Sequence, residues 1–378
     1  MTDPDPSGEV VVGRLVVDDG VEPGRIVVED GRIAAVEPDA SARDGPFVAP
    51  GFVDLHVHGW GGHDAMGEEG ALDGMARALL RRGVTSFLPT AVSAPLASLA
   101  AFADRVRRWM AAPPADAAQP LGLNLEGPFL ASVRRGAHDA TALRAPADVA
   151  AREIDVLVDG LRVMTVAPEL PGAIELIGRL AADGVATSLG HSDASYEQAM
   201  TGYAAGAVST THLFNAMSGV DHRSPGLAVA ALTDDRVHVE LIADGHHVHR
   251  AVWPIVFRAK PSDRVLLVSD AVHLAGTDEI RGRLGGVDVE VRGDRCMIAG
   301  EDRLAGSLIA LDSAVRNLVA SGVALPRAVA AASRDPAALA GATDRGRIAV
   351  GLRADLVELD DRLGVRRVML AGRWHETM

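Results

Sequence analysis

Eight short apolar runs, interleaved with Ala-rich stretches of helical character, constrain this chain more than any other feature. The runs are FVDLHVH (52–58), TSFLPT (85–90), LGLNLE (121–126), RVMTVAPE (162–169), VATSLGH (185–191), AVSTTH (207–212), VHVELIAD (237–244) and RVLLVSD (264–270). Residues 68–82, 94–112, 171–183 and 194–205 read as helices between them. Strand–helix alternation calls for a parallel sheet, because a parallel neighbour can be reached only by a long crossover. Eight such units predict an α/β fold, a (β/α)8 TIM barrel, with functional groups at the C-terminal ends of the strands. A doubly wound open sheet is the alternative, but no G-x-G-x-x-G follows any of the runs, which weakens a dinucleotide-binding reading.

The flanks have another character. EVVVGRLVV (9–17), RIVV (25–28) and RIAAV (32–36) are β-branched runs broken by DDG and EDG turns, and DLVELD (355–360) and VRRVMLAG (365–372) repeat the style near the far end. The expected organisation is a small β-sandwich domain built from both termini, residues 1–48 and 345–378. It flanks a barrel domain spanning 49–344.

A formal charge of −14 disfavours nucleic acid, whose phosphates need a basic footprint. The start, MTDPDPSGEV, lacks the basic and apolar regions of a signal peptide, and no apolar run approaches a membrane span. The single cysteine, Cys296, excludes an internal disulfide or a thiolate cluster, so a cytoplasmic protein is expected. Lys260 is the only lysine.

The ends of the runs carry the chemistry. His56 and His58 are spaced i, i+2 on the first strand, so alternation puts both imidazoles on one face, where one ion can take a nitrogen from each. Glu126 ends the third run, His191 the fifth, His212 the sixth and Asp270 the eighth. Singly, each has an ordinary structural reading, such as a helix N-cap for Asp270. Together on one barrel face they form a metal-type ligand set. Glu126, His191 and His212 supply two nitrogens and an oxygen and leave coordination positions open, as a catalytic site requires. The donors suit zinc, iron, cobalt or manganese alike.

This arrangement resembles the amidohydrolase superfamily, and more closely the N-acetylglucosamine-6-phosphate deacetylase family. The matching segments are APGFVDLHVHGWGG (49–62), LNLEGPFL (123–130), RRGAH (134–138), LGHSDA (189–194), THLFNAM (211–217), SPGL (224–227), IADGHHV (242–248), LVSDA (267–271) and LAGS (304–307). Many superfamily members bridge two ions with a carboxylated lysine. Lys260 precedes strand eight and is misplaced for that, so Glu126 takes the oxygen-ligand role.

The resemblance implies one or two divalent ions per subunit, zinc foremost, with His56 and His58 available for the second. It implies Asp270 as the acid/base and His138, Asn215, Ala216, Arg223, His247, Leu304, Ala305 and Gly306 as substrate contacts, Arg223 facing a 6-phosphate. The implied reaction is hydrolysis of N-acetylglucosamine 6-phosphate to glucosamine 6-phosphate and acetate, in a homodimer. Alternatives are the galactosamine epimer, a cyclic-amide hydrolase of the dihydroorotase type, and a non-catalytic scaffold. The absent bridging lysine argues against the cyclic-amide hydrolase, and a scaffold predicts lost ligands.

Overall fold

The computed structural model describes residues 8–376. Eight parallel strands form its centre: Phe52–Val57, Val84–Val92, Leu123–Glu126, Leu161–Val166, Ala186–Leu189, Ser209–Thr210, His238–Leu241 and Val265–Leu267, hydrogen-bonded in chain order. Each grows from one of the eight apolar runs. Among the described residues no ladder joins the last strand to the first. The seam closes instead just beyond the strands: Asp270 N donates to His56 O at 2.8 Å, and the amides of His58 and Gly59 both donate to Ala271 O at 2.9 Å. This near-closed barrel is the expected architecture.

The strands are buried on both faces, as a helix-wrapped parallel sheet requires; all nine residues of Val84–Val92 are buried. The helices cover the outside with one apolar stripe each. Ala71–Leu80, for instance, buries Leu72, Met75, Ala76, Leu79 and Leu80, at helical i, i+3, i+4 spacing. Tyr196–Ala205 starts from a reciprocal cap in which Ser195 and Gln198 exchange side-chain and backbone bonds. Inside the barrel, beneath the site, lies a layer of small buried polar groups. Thr211 bonds Thr165 and Ser188 at 2.9 and 2.8 Å, and Asn124 donates to Leu55 O at 3.0 Å.

The terminal strands meet as expected, in one seven-stranded mixed sheet. Its order is Arg373–Glu376, Val365–Leu370, Leu356–Leu359, Phe47–Pro50, Glu9–Val17, Gly20–Glu29 and Arg32–Pro38. Phe47–Pro50 holds the two ends together, pairing parallel with Glu9–Val17 and antiparallel with Leu356–Leu359. Val11, Leu15, Ile26, Ile33, Val48, Leu356 and Met369 form its own small core. The central strand crosses the expected 48/49 boundary, so the two-domain division stays a proposal; residues 1–7 and 377–378 of the smaller unit lie outside the described residues.

Beyond the eighth barrel strand a three-stranded antiparallel sheet, Arg281–Leu284, Val287–Arg292 and Arg295–Ile298, stands over the barrel mouth. It has no counterpart among the expected strands, because its strands are short and the first two bury only one residue each, Leu284 and Val289. Lys260 is buried at the other end of the structural logic: its ammonium donates to Ala231 O and Asp234 O at 2.9 and 2.6 Å. No helix among the described residues is long and apolar enough to cross a membrane.

Candidate metal centre and active site

The strand-end residues converge. Glu126 is the hub: its Oε1 lies 3.0 Å from His191 Nε2, 2.9 Å from His212 Nε2 and 3.5 Å from His56 Nε2. Its Oε2 lies 3.2 Å from His58 Nε2 and 3.1 Å from His138 Nε2. Asp270 Oδ1 stands opposite, 3.2 Å from His58 Nε2 and 3.7 Å from His56 Nε2. All seven are buried, and three of them leave their strands with left-handed backbone: φ is 47° at His191, 28° at His212 and 49° at Asp270. That conformation is costly for residues with a Cβ, and such strain gathers at functional sites. Here it ends the strand and turns the side chain inward over the barrel mouth.

Two groups have metal-holding geometry, His56–His58–Glu126 and Glu126–His191–His212, with ligand atoms within 4.8 Å of one another in each. The fit to a cation is decided by where the hydrogens go. His191 Nδ1 faces Arg134 O at 2.8 Å, His58 Nδ1 faces Thr90 O at 3.3 Å, and His56 Nδ1 faces Glu240 Oε2 at 3.1 Å. Carbonyls and carboxylates only accept, so in their neutral forms these three rings carry Nδ1–H and turn a bare Nε2 lone pair inward. His191 Nε2 then lies 3.0 Å from His212 Nε2, and His56 Nε2 is buried with no hydrogen-bond partner. Lone pairs held together beside a carboxylate are what a divalent cation satisfies, and the residues present fit one or two such ions.

Electrostatics agree. Burial opposes charge on Glu126 and Asp270, but the surrounding imidazoles outweigh it: Glu126 is held well below the usual carboxylate range and Asp270 falls to about 2. Burial likewise works against a charged His58, yet Asp270 and Glu126 lift it to about 9, whereas at His191 burial prevails and lowers the ring to about 4. The cluster keeps its carboxylates ionised, and protons and metal ions compete for its nitrogens.

The centre opens into a cavity of about 450 Å³, a size suited to a small sugar-like ligand. His58, Glu126, His138, His191, His212 and Asp270 line its floor. Of the expected substrate contacts, Asn215, Ala216, His247, Leu304 and Gly306 also line it, while Ala305 is buried between the last two. His247 is oriented by Asp244, whose Oδ2 accepts from Nδ1 at 2.6 Å. Arg223 is not brought to this cavity. It stands exposed on the loop beyond Met217, its backbone amide held by Asp221.

Three features had no place in the sequence reading. Glu240 bonds His56 Nδ1 and also accepts from the His212 amide at 3.2 Å, linking both ligand groups from behind. A glutamate inside the apolar run VHVELIAD was its signal. Arg134 and Arg303 are cations on the cavity wall, each with a carboxylate neighbour, Asp193 and Glu301. Leu284 reaches the cavity from the three-stranded sheet.

Comparison with known proteins matches the pattern of the Amidohydrolase family to residues 47–375. The chain is 37% identical over 372 residues to an N-acetylgalactosamine-6-phosphate deacetylase of Escherichia coli O157:H7, covering 95% of this chain and 97% of that protein. It is 38% identical to an N-acetylglucosamine-6-phosphate deacetylase of Bos taurus, over 93% of this chain and 88% of the relative. The N-acetylglucosamine-6-phosphate deacetylase structure from Thermotoga maritima superimposes with a TM-score of 0.91 at 32% identity, covering 97% and 99% of the two chains. So does a mutant deacetylase from Mycobacterium smegmatis in complex with N-acetyl-D-glucosamine-6-phosphate, with a TM-score of 0.91 at 34% identity over the same shares. With its barrel, its ligand groups and these similarities taken together, the chain belongs to the amidohydrolase superfamily and, within it, to the N-acetylglucosamine-6-phosphate deacetylase family.

Proposed function

We propose that this protein hydrolyses the acetamide of N-acetyl-D-glucosamine 6-phosphate to D-glucosamine 6-phosphate and acetate, in amino-sugar breakdown in the cytoplasm. The observation that carries the reading is the Glu126–His191–His212 group beside a buried, ionised Asp270 on the floor of a sugar-sized cavity. The complex of the Mycobacterium smegmatis relative with this sugar phosphate supports the substrate class.

Glu126, His191 and His212 would hold one divalent ion, zinc foremost, and His56, His58 and Glu126 a second. A divalent cation in such a cluster acidifies water and draws electrons from an amide carbonyl. Asp270 takes the proton from the attacking water at Oδ1 and passes it to the sugar nitrogen as the carbon–nitrogen bond breaks, so the amine leaves neutral. His138 contacts the carbonyl oxygen. The phosphate lies against Asn215, Ala216 and His247, and Leu304, Ala305 and Gly306 cover the sugar. Arg223, on the exposed loop beyond Met217, meets the phosphate from outside this cavity, and the enzyme works as a homodimer.

The test is acetate release by metal-loaded protein from N-acetylglucosamine 6-phosphate, N-acetylgalactosamine 6-phosphate and unphosphorylated N-acetylglucosamine. A clear preference for the first is expected. Preference for the second installs the epimeric reading, which the Escherichia coli relative favours. Turnover of none of them removes the proposal.

A further inference from the structure

His138 differs from every other histidine at the centre in what its Nδ1 meets. The Ser93 backbone amide points at that nitrogen from 3.1 Å, and Ser93 Oγ lies 2.9 Å from it. A backbone amide can only donate. Nδ1 must therefore be the bare nitrogen, and in the neutral ring the hydrogen sits on Nε2, which faces Glu126 Oε2 at 3.1 Å and the cavity. His56, His58 and His191 have the reverse arrangement, with Nδ1 against acceptors. One cluster thus contains imidazoles of two tautomers, sorted by the backbone or carboxylate group behind each ring.

From this geometry we infer that Ser93 is a positioning residue, whose backbone amide fixes His138 as an Nε2–H donor toward the cavity. His138 is thereby kept out of the ligand set and made a hydrogen-bond donor to a substrate oxygen. The packing around Ser93 serves the same end. Its hydroxyl also reaches Glu126 O at 3.3 Å, tying the end of the second barrel strand to the third. Gly127 follows Glu126 with φ 102°, and a Cβ there would stand 2.2 Å from Ser93 Oγ. The glycine leaves the space in which Ser93 turns its amide onto the ring. The inference rests on the proposed reading of the cavity as an amide-hydrolysing site, but the tautomer itself is measurable without any substrate.

Zinc-loaded protein labelled with 15N in its histidine rings reads the tautomer directly, with the His138 signals assigned by their loss in His138→Gln. The expected spectrum has the hydrogen of His138 on Nε2, and it stays there in Ser93→Ala, which keeps the backbone amide. A hydrogen on Nδ1 in the wild type overturns the inference, whatever the enzyme turns over. Kinetics supply the second arm. Glutamine can place an amide donor near the Nε2 position, and asparagine only near Nδ1. His138→Gln should therefore retain at least about tenfold more kcat than His138→Asn, whose loss should approach the 10²–10³-fold typical of a removed oxyanion donor, with KM less affected. Equal losses in the two variants would refute the donor role. An Nε2–H spectrum in a protein that turns over none of the three sugars would sink the substrate reading and leave the positioning of His138 standing.

Discussion

Asp270 sits where a proton can be exchanged between the cavity and the His58 side of the centre, and it is not an essential member of either three-residue ligand group. Asp270→Asn should therefore keep its metal while losing about 10²–10⁴ in turnover, since an amide cannot carry the proton. Elemental analysis alongside the acetate assay checks both halves, and a metal-free variant would recast Asp270 as a ligand. Glu240 acts one layer deeper. Removing its charge with Glu240→Gln should weaken ion binding at the His56 side about 10–100-fold, read by calorimetric titration of the apoprotein. Unchanged affinity would reduce Glu240 to a packing partner. Residues of the first kind were legible in the sequence, because His56, His58, Glu126, His191, His212 and Asp270 each close an apolar run. Glu240 and Ser93 were not, because their meaning lies in partners 184 and 45 residues away.

At the scale of elements, the barrel strands and most helices follow from hydrophobic period, and the three-stranded sheet over the mouth does not. Its strands leave many positions exposed, so no apolar face announces them. The segment that returns from this sheet to the barrel is tightly fitted. Gly306 has φ 70°, and a Cβ there would lie 2.7 Å from Asp270 O and 2.8 Å from Val272 Cγ1. Gly300, with φ 77°, has nothing within 4 Å. Gly300→Ala should cost about 1 kcal/mol, the left-handed penalty alone. Gly306→Ala should cost roughly 1–3 kcal/mol more and slow turnover, because it pushes on the segment that carries Asp270, the proposed acid/base. Thermal melts and kcat of the two variants, compared side by side, check the difference; equal melting points would show that the segment yields freely.

The molecule as a whole is made of a barrel whose function faces one end and a sheet that gathers both ends of the chain. The pairing of the terminal pieces was legible from their β-branched runs. The role of Phe47–Pro50 as the strand between them was not, since only pairing over some 310 residues reveals it. Its pH response is set partly away from the site. His238 opens the seventh barrel strand, where burial, and then the neighbouring Arg264 charge, lower it to about 4. Between about 4 and the ordinary value of 6.5 the unfolded chain binds the proton and the folded one does not. Stability from this residue is thus full above 6.5 and is lost as pH falls toward 4. Urea unfolding of His238→Gln should show a shallower decline across that window than the parent, and parallel curves would assign the acid response elsewhere.

The burial of Lys260 has a consequence for what can be done to this protein. The chain has one lysine, and its ammonium is occupied by two carbonyl oxygens beneath the surface. The folded molecule therefore offers no accessible lysine amine. Reagents and enzymes that acylate, crosslink or tag that group find no side-chain target until the structure opens, so lysine labelling becomes a reporter of unfolding and a poor handle for immobilisation.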